Sequence, residues 1–119
     1  MPNPVVHFEI QSSNPEKLHG YYRELVGWHV NADNPMAYGI VNTHAGKGID
    51  GGIGGKQEGA PNLVTFYVES DDLQASLDKA VELGGTVVMP VTEIPNMVTF
   101  ALFSDPEGNV VGVVKSEEE

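Results

Sequence analysis

Val5-Val6-His7-Phe8-Glu9-Ile10 returns 58 residues later as Leu63-Val64-Thr65-Phe66-Tyr67-Val68. The same shift carries Glu24-Leu25-Val26-Gly27-Trp28-His29-Val30 onto Glu82-Leu83-Gly84-Gly85-Thr86-Val87-Val88. A constant register over two separated blocks marks an internal repeat, so the chain is read as two copies of one supersecondary unit. Farther along the shift becomes 60, pairing Gly48 with Gly108 and Gly52 with Gly112, so the second copy holds two extra residues midway.

Each copy places a helix between its two repeated blocks. Asn14 is a good N-cap, Pro15 suits the first helical turn, and Leu18, Tyr21, Tyr22 and Leu25 recur at helical spacing before Gly27 stops the pattern. In the second copy Asp71 or Asp72 caps, Leu73, Leu77, Ala80 and Val81 form the stripe, and Gly84-Gly85 ends it. These patterns predict helices over Pro15 to Leu25 and Leu73 to Leu83. Three strand-like runs follow each helix: Trp28 to Asn31, Ala37 to Asn42 and Ile49 to Ile53, then Thr86 to Met89, Val98 to Phe103 and Val110 to Val114. Turn signals such as Asn34-Pro35, Pro95-Asn96 and Asp105-Pro106-Glu107-Gly108 separate them.

Each module is therefore βαβββ, and the fold class is α+β. One such module leaves a sheet face uncovered, so two tandem modules are expected to form an eight-stranded, partly open barrel around a cleft. The expected organisation is a single domain over residues 1–119. Module 1 covers about 4–55, module 2 about 62–115, and 116–119 is an acidic tail.

Composition narrows the function. Lys and Arg total 6 against 17 Asp and Glu, a formal net charge of −11, which disfavours nucleic acid and anionic membrane surfaces as partners. The acidic excess either favours a cationic small molecule or serves solubility alone. The absence of cysteine excludes disulfides, thiolate metal sites and thiol nucleophiles. No apolar run approaches membrane-spanning length and the N-terminus has no basic-then-apolar leader pattern, so a cytoplasmic location is expected.

Side chains alternate along a strand, so His7, Glu9 and Gln11 share one face of the first strand while Val6, Phe8 and Ile10 pack under the helices. By the repeat, Thr65, Tyr67 and Glu69 occupy the matching face of the second module. These polar groups either line a binding cleft or make up a solvated face. The glycines Gly51-Gly52, Gly54-Gly55 and Gly112 either leave room for a ligand or mark bends in the sheet. Gly46-Lys47-Gly48-Ile49-Asp50-Gly51 satisfies G-x-G-x-x-G but opens a strand, and Gly55-Lys56 is followed by Gln57, so neither is a nucleotide loop. His19, His29 and His44 read as surface histidines. Trp28 either packs where the helix turns back onto the sheet or stacks on a substrate.

Paired βαβββ modules with an inward His on the opening strand, a helix ending in Gly-Trp, and a closing Asp-Pro-Glu-Gly-Asn before an apolar strand resemble the vicinal-oxygen-chelate superfamily. That superfamily includes glyoxalase I, bleomycin-resistance proteins and extradiol dioxygenases. "VVHFEI", "GIDGG" and "FSDPEGNVVG" are most similar to a small bacterial group described as enzymes related to lactoylglutathione lyase. The resemblance covers roughly residues 4 to 115.

In metal-dependent relatives the ligands come from the first and last strand of each module, which here are His7, Gly52, Thr65 and Gly112. Glycine has no donor atom and threonine is a poor one, so the resemblance implies no bound metal or cofactor. The alternative is an atypical divalent metal near His7, held with Glu9 and Asp50.

The enzyme reading makes His7 and Glu9 the catalytic pair for proton transfer on a small carbonyl or hydroxy compound, as in lyases and isomerases of the superfamily. Gln11, Asp50, Thr65, Tyr67 and Glu69 are its substrate-binding candidates. The alternative is a non-catalytic protein that binds or sequesters a small molecule, as bleomycin-resistance proteins do. The expected partners are a small-molecule ligand and a second copy in a homodimer, with no nucleic acid and no membrane.

Overall fold

A computed structural model describes residues 2 to 116. It contains β1 (Val5–Ser12), α1 (Pro15–Val26), β2 (His29–Asn31), β3 (Gly39–Asn42) and β4 (Gly51–Gly55), followed by β5 (Leu63–Ser70), α2 (Leu73–Glu82), β6 (Thr86–Ile94), β7 (Val98–Ser104) and β8 (Val110–Lys115). This is the α+β arrangement of two βαβββ modules. The chain divides into two compact units, His7–Thr65 and the stretch from Phe66 onward together with the residues up to Val6. The tail residues Glu117 to Glu119 lie outside the described residues.

In the first unit the strand order is β2-β3-β4-β1, with β1 parallel to β4 and the other pairs antiparallel. The register sets Glu9 opposite Gly52 and Gln11 opposite Gly54. Helix α1 begins as its caps dictate: the Asn14 side chain accepts the Lys17 N–H, and Gly27 closes the helix at φ 74, a left-handed conformation that glycine adopts without steric cost. Ile10, Val30, Val41 and Ile53 form the core, with Phe8, Leu18, Tyr22 and Trp28 packed around it. Trp28 lies 5.1 Å from Phe8 and 5.2 Å from Tyr22 between ring centres, the packing role expected of it.

Two expectations for α1 are corrected. Tyr21 and Leu25 are 54% and 60% exposed, and the inward face instead runs through Leu18, His19 and Tyr22. His19 is not a surface histidine: it is 4% exposed, with Nε2 3.2 Å from the carbonyl oxygen of Ile53. A buried imidazole is tolerated when its ring nitrogen is paired, and Gly39 leaves the space, since a Cβ there would collide with the ring.

The second unit repeats the plan with strand order β5-β8-β7-β6, β5 parallel to β8. Tyr67 sits opposite Gly112, the repeat-equivalent of Glu9 opposite Gly52. Leu73, Leu77, Ala101 and Val113 form its core under α2, whose N-cap is Asp72. Val81 of the expected helical stripe is 50% exposed. Strand β6 runs on past Met89 to Ile94, with register shifts on either side of Met89. Pro90 survives there because β6 ends the strand order, where a missing N–H breaks no second ladder. The Asp-Pro-Glu-Gly-Asn motif is a turn closed by the Asp105 carboxylate, which accepts N–H groups of Glu107 and Asn109 and the Asn109 side-chain amide. Those bonds, the Asn109 side chain first, hold the Asp105 carboxyl below the usual range.

Candidate functional site

Strand alternation brings His7, Glu9 and Gln11 onto one face of β1, as expected, and hydrogen bonds join two of them directly. Gln11 Nε2 donates to Glu9 Oε2 at 2.6 Å. The bonds continue through a residue that sequence reasoning missed, Tyr38. Its hydroxyl donates to Glu9 Oε1 at 2.7 Å and lies 3.0 Å from His7 Nε2.

Tyr38 reaches this position through its local sequence. The Asn34 side chain accepts the N–H groups of Met36 and Tyr38 at 3.2 and 3.0 Å and donates to the Tyr38 carbonyl at 2.7 Å. Ala37 takes a left-handed φ of 52 within this wrapped turn. The ring then lies over Gly52 and Gly54, either of which would meet it if it carried a Cβ. The strand pairing contained the signal: continuing the Gly39–Ile53 register by one residue sets Tyr38 against Gly54, an aromatic residue covering a glycine on the adjacent strand. The alternating glycines made space, and a side chain of the same module fills it.

With Glu9 ionised, the hydrogen bonds point to one histidine tautomer. A tyrosine hydroxyl has one proton, and here it goes to Glu9 Oε1. The His7–Tyr38 bond then requires Nε2 of His7 to carry the hydrogen and donate, which leaves the lone pair of the neutral ring on Nδ1. Glu9 is 9% exposed, and its carboxylate accepts hydrogen bonds from Tyr38 and Gln11. Burial pushes the His7 imidazole below its ordinary value, an effect opposed by the negative charges of Glu9 and Asp50. His7 Nε2 stands 4.0 Å from Glu9 Oε1. The arrangement therefore keeps a mainly neutral imidazole beside a carboxylate, with one hydroxyl bridging the two.

The other candidate residues are placed as follows. Asp50 is exposed just before β4 and accepts the Thr43 N–H at 3.1 Å. Thr65 is 7% exposed at the end of the first unit. Tyr67 and Glu69 belong to the second unit. Tyr67 is 5% exposed, its ring over Gly112 and edge-on to Phe100. The Glu69 backbone bonds to Pro4 and Asn3.

The metal positions implied by the superfamily do not fit a metal. Tyr38 fills the side-chain space at Gly52 and Tyr67 that at Gly112, so both modules put a tyrosine where a ligand would project. Among the described residues no three His, Asp or Glu side chains gather into a set able to hold a metal ion. Among the same residues no helix is long and apolar enough to cross a membrane.

Comparison with known proteins gives the family. A family model described as a glyoxalase-like domain matches residues 7–114. CFP32 of Mycobacterium tuberculosis, described provisionally as a glyoxylase, is 30% identical over 112 residues, covering 88% of this chain and 42% of that protein. A glyoxylase-like domain-containing protein of Didymella fabae is 28% identical, covering 85% of this chain and 84% of its own. The chain thus spans less than half the length of CFP32. Among solved structures, methylmalonyl-CoA epimerase from Mycobacterium tuberculosis superposes with a TM-score of 0.65 at 13% identity, covering 96% of this chain and 88% of that one. A member of the glyoxalase/bleomycin resistance/dioxygenase superfamily from Vibrio splendidus gives 0.63 at 14% identity, covering 97% and 100%. By its family-model match over residues 7–114, the chain belongs to the glyoxalase-like domain family.

Proposed function

We propose that this protein is a small-molecule enzyme of the lyase or isomerase type, moving a proton on a carbonyl or hydroxy compound without a metal. The observation that carries the reading is the His7–Tyr38–Glu9 network. In this reading His7 Nδ1 takes a proton from the carbon next to a carbonyl, and the C–H electron pair moves into the C–C bond to give an enolate. The resulting imidazolium strengthens its Nε2–H bond to Tyr38 and is stabilised by the Glu9 carboxylate behind it. Delivery of the imidazolium's proton, which exchanges with solvent while it is held there, to a neighbouring atom of the enolate completes the isomerisation and restores neutral His7. The depressed imidazole supports this role, because a base must be unprotonated at working pH. Gln11, Asp50 and Thr65 are the proposed substrate contacts of the first unit, and Tyr67 and Glu69 remain separate candidates within the second.

The second reading, a binding protein without chemistry, is favoured by the net charge of −11, which would attract a cationic ligand. A thermal-shift panel of carbonyl, hydroxy and cationic compounds separates the two, since any ligand of the native state raises its apparent stability. Shifts from carbonyl compounds that disappear in His7→Ala support the enzyme. Shifts from cationic compounds alone, unchanged by His7→Ala, support the binder.

The same reading includes a homodimer. Tyr21 and Leu25 on the outer face of α1 are more than half exposed and offer an apolar face for pairing. Sedimentation at micromolar concentration should show a dimer, and a monomer throughout that range would refute this part.

A further inference from the structure

His29 and His44 lie outside the network around His7, and both are exposed. Their ring centres are 5.6 Å apart with the planes inclined at 61°. We propose that the pair is a peripheral binding site for one divalent transition-metal ion, a Zn(II), Ni(II) or Cu(II) class cation held by two imidazoles and completed by water.

The spacing is close to that of a shared metal. A cation about 2.0 to 2.1 Å from one nitrogen of each ring, at a roughly tetrahedral angle, puts the two ring centres about 5 to 5.5 Å apart. Stacked rings could not converge on one ion, and these rings do not stack. Backbone structure sets the separation. The β2–β3 register places His29 opposite Asn42 at the end of the ladder, and His44 lies two residues farther along the chain, just past that end. The intervening turn is tied down: Asn42 Oδ1 accepts the His44 N–H at 2.9 Å, and Asp50 Oδ1 accepts the Thr43 N–H at 3.1 Å. His44 takes a left-handed φ of 53 there. Imidazole suits Zn, Ni and Cu, whereas Mg and Ca prefer oxygen donors, so the pair selects the transition cations. An ion at this place would tie β2, a three-residue strand at the end of the strand order, to the turn after β3.

The chain supplies its own reporter. Its single tryptophan, Trp28, immediately precedes His29, and bound Cu(II) quenches nearby indole fluorescence. Titration of the whole chain with Cu(II) at pH 7.5 should give saturable quenching at one ion per chain, reversed by EDTA. His29→Ala and His44→Ala should each weaken binding at least tenfold, and the double variant should abolish saturable quenching while its circular dichroism is unchanged. His7→Ala should bind as the parent does. EPR of the one-to-one complex should show superhyperfine coupling from two imidazole nitrogens. The proposal is overturned if the parent shows no saturable quenching, if the double variant binds as the parent does, if binding disappears with His7, or if the spectrum shows fewer than two nitrogens. The EPR reading is taken on the parent protein and holds even if a variant fails to fold.

Discussion

The hydroxyl of Tyr38 stands where a side chain on Gly52 would have to go, so the two residues are complementary across β3 and β4. Tyr38 can bridge His7 and Glu9 only because residue 52 projects nothing. Gly52→Ala should therefore push Tyr38 out of place and lower stability by about 1 to 3 kcal/mol, the usual cost of overpacking. Gly55→Ala, whose added Cβ would meet nothing within 4 Å, should change stability by no more than about 0.5 kcal/mol. Urea denaturation of the two variants measures the difference.

The titration of His7 has a definite sign. Its folded value lies below the ordinary 6.5, so between the two values the unfolded chain binds the proton more readily. His7 therefore contributes stability that is fully present above the unfolded value and is lost as pH falls through the folded one. Glu9 and Asp50 both pull the value upward, so Glu9→Gln and Asp50→Asn should each lower it further. Imidazole proton NMR as a function of pH reads this directly, and a rise in either variant would contradict the electrostatic assignment.

His19 and His7 should respond unequally to truncation. His19→Ala removes a ring that packs against Gly39 and leaves the Ile53 carbonyl without its imidazole partner. It should cost on the order of 2 to 4 kcal/mol of stability. His7 is one-third exposed at its side chain, and His7→Ala should cost about 1 kcal/mol while impairing function. Equal losses in denaturation experiments would place His7 in the core rather than in a working site.

The repeat was legible because it depends on register alone: the 58-residue shift that aligns Glu9 with Tyr67 reappears as their matching positions opposite Gly52 and Gly112. The helix starts were equally plain, since Asn14 and Asp72 cap as their side chains require. The face shared by His7, Glu9 and Gln11 followed from strand alternation. Tyr38 was not legible from its own surroundings, because its role depends on Gly52 and Gly54 on another strand and on an Asn34 wrap that holds Ala37 at positive φ. His19 was misplaced for a related reason. A helical stripe read by hydrophobicity passes over a histidine, and only the distant Ile53 carbonyl and Gly39 make its burial favourable.

Metal-free proton transfer at His7 is tested most directly by hydrogen–deuterium exchange. Chelator-treated protein is incubated in D2O with a panel of small carbonyl and hydroxy compounds, and loss of the proton next to the carbonyl is followed by proton NMR. The parent protein should catalyse exchange in at least one compound with EDTA present, Tyr38→Phe should slow it, and His7→Ala should reduce it to the uncatalysed rate. Exchange that appears only when a divalent metal is added, or that persists undiminished in His7→Ala, would contradict the role given to His7.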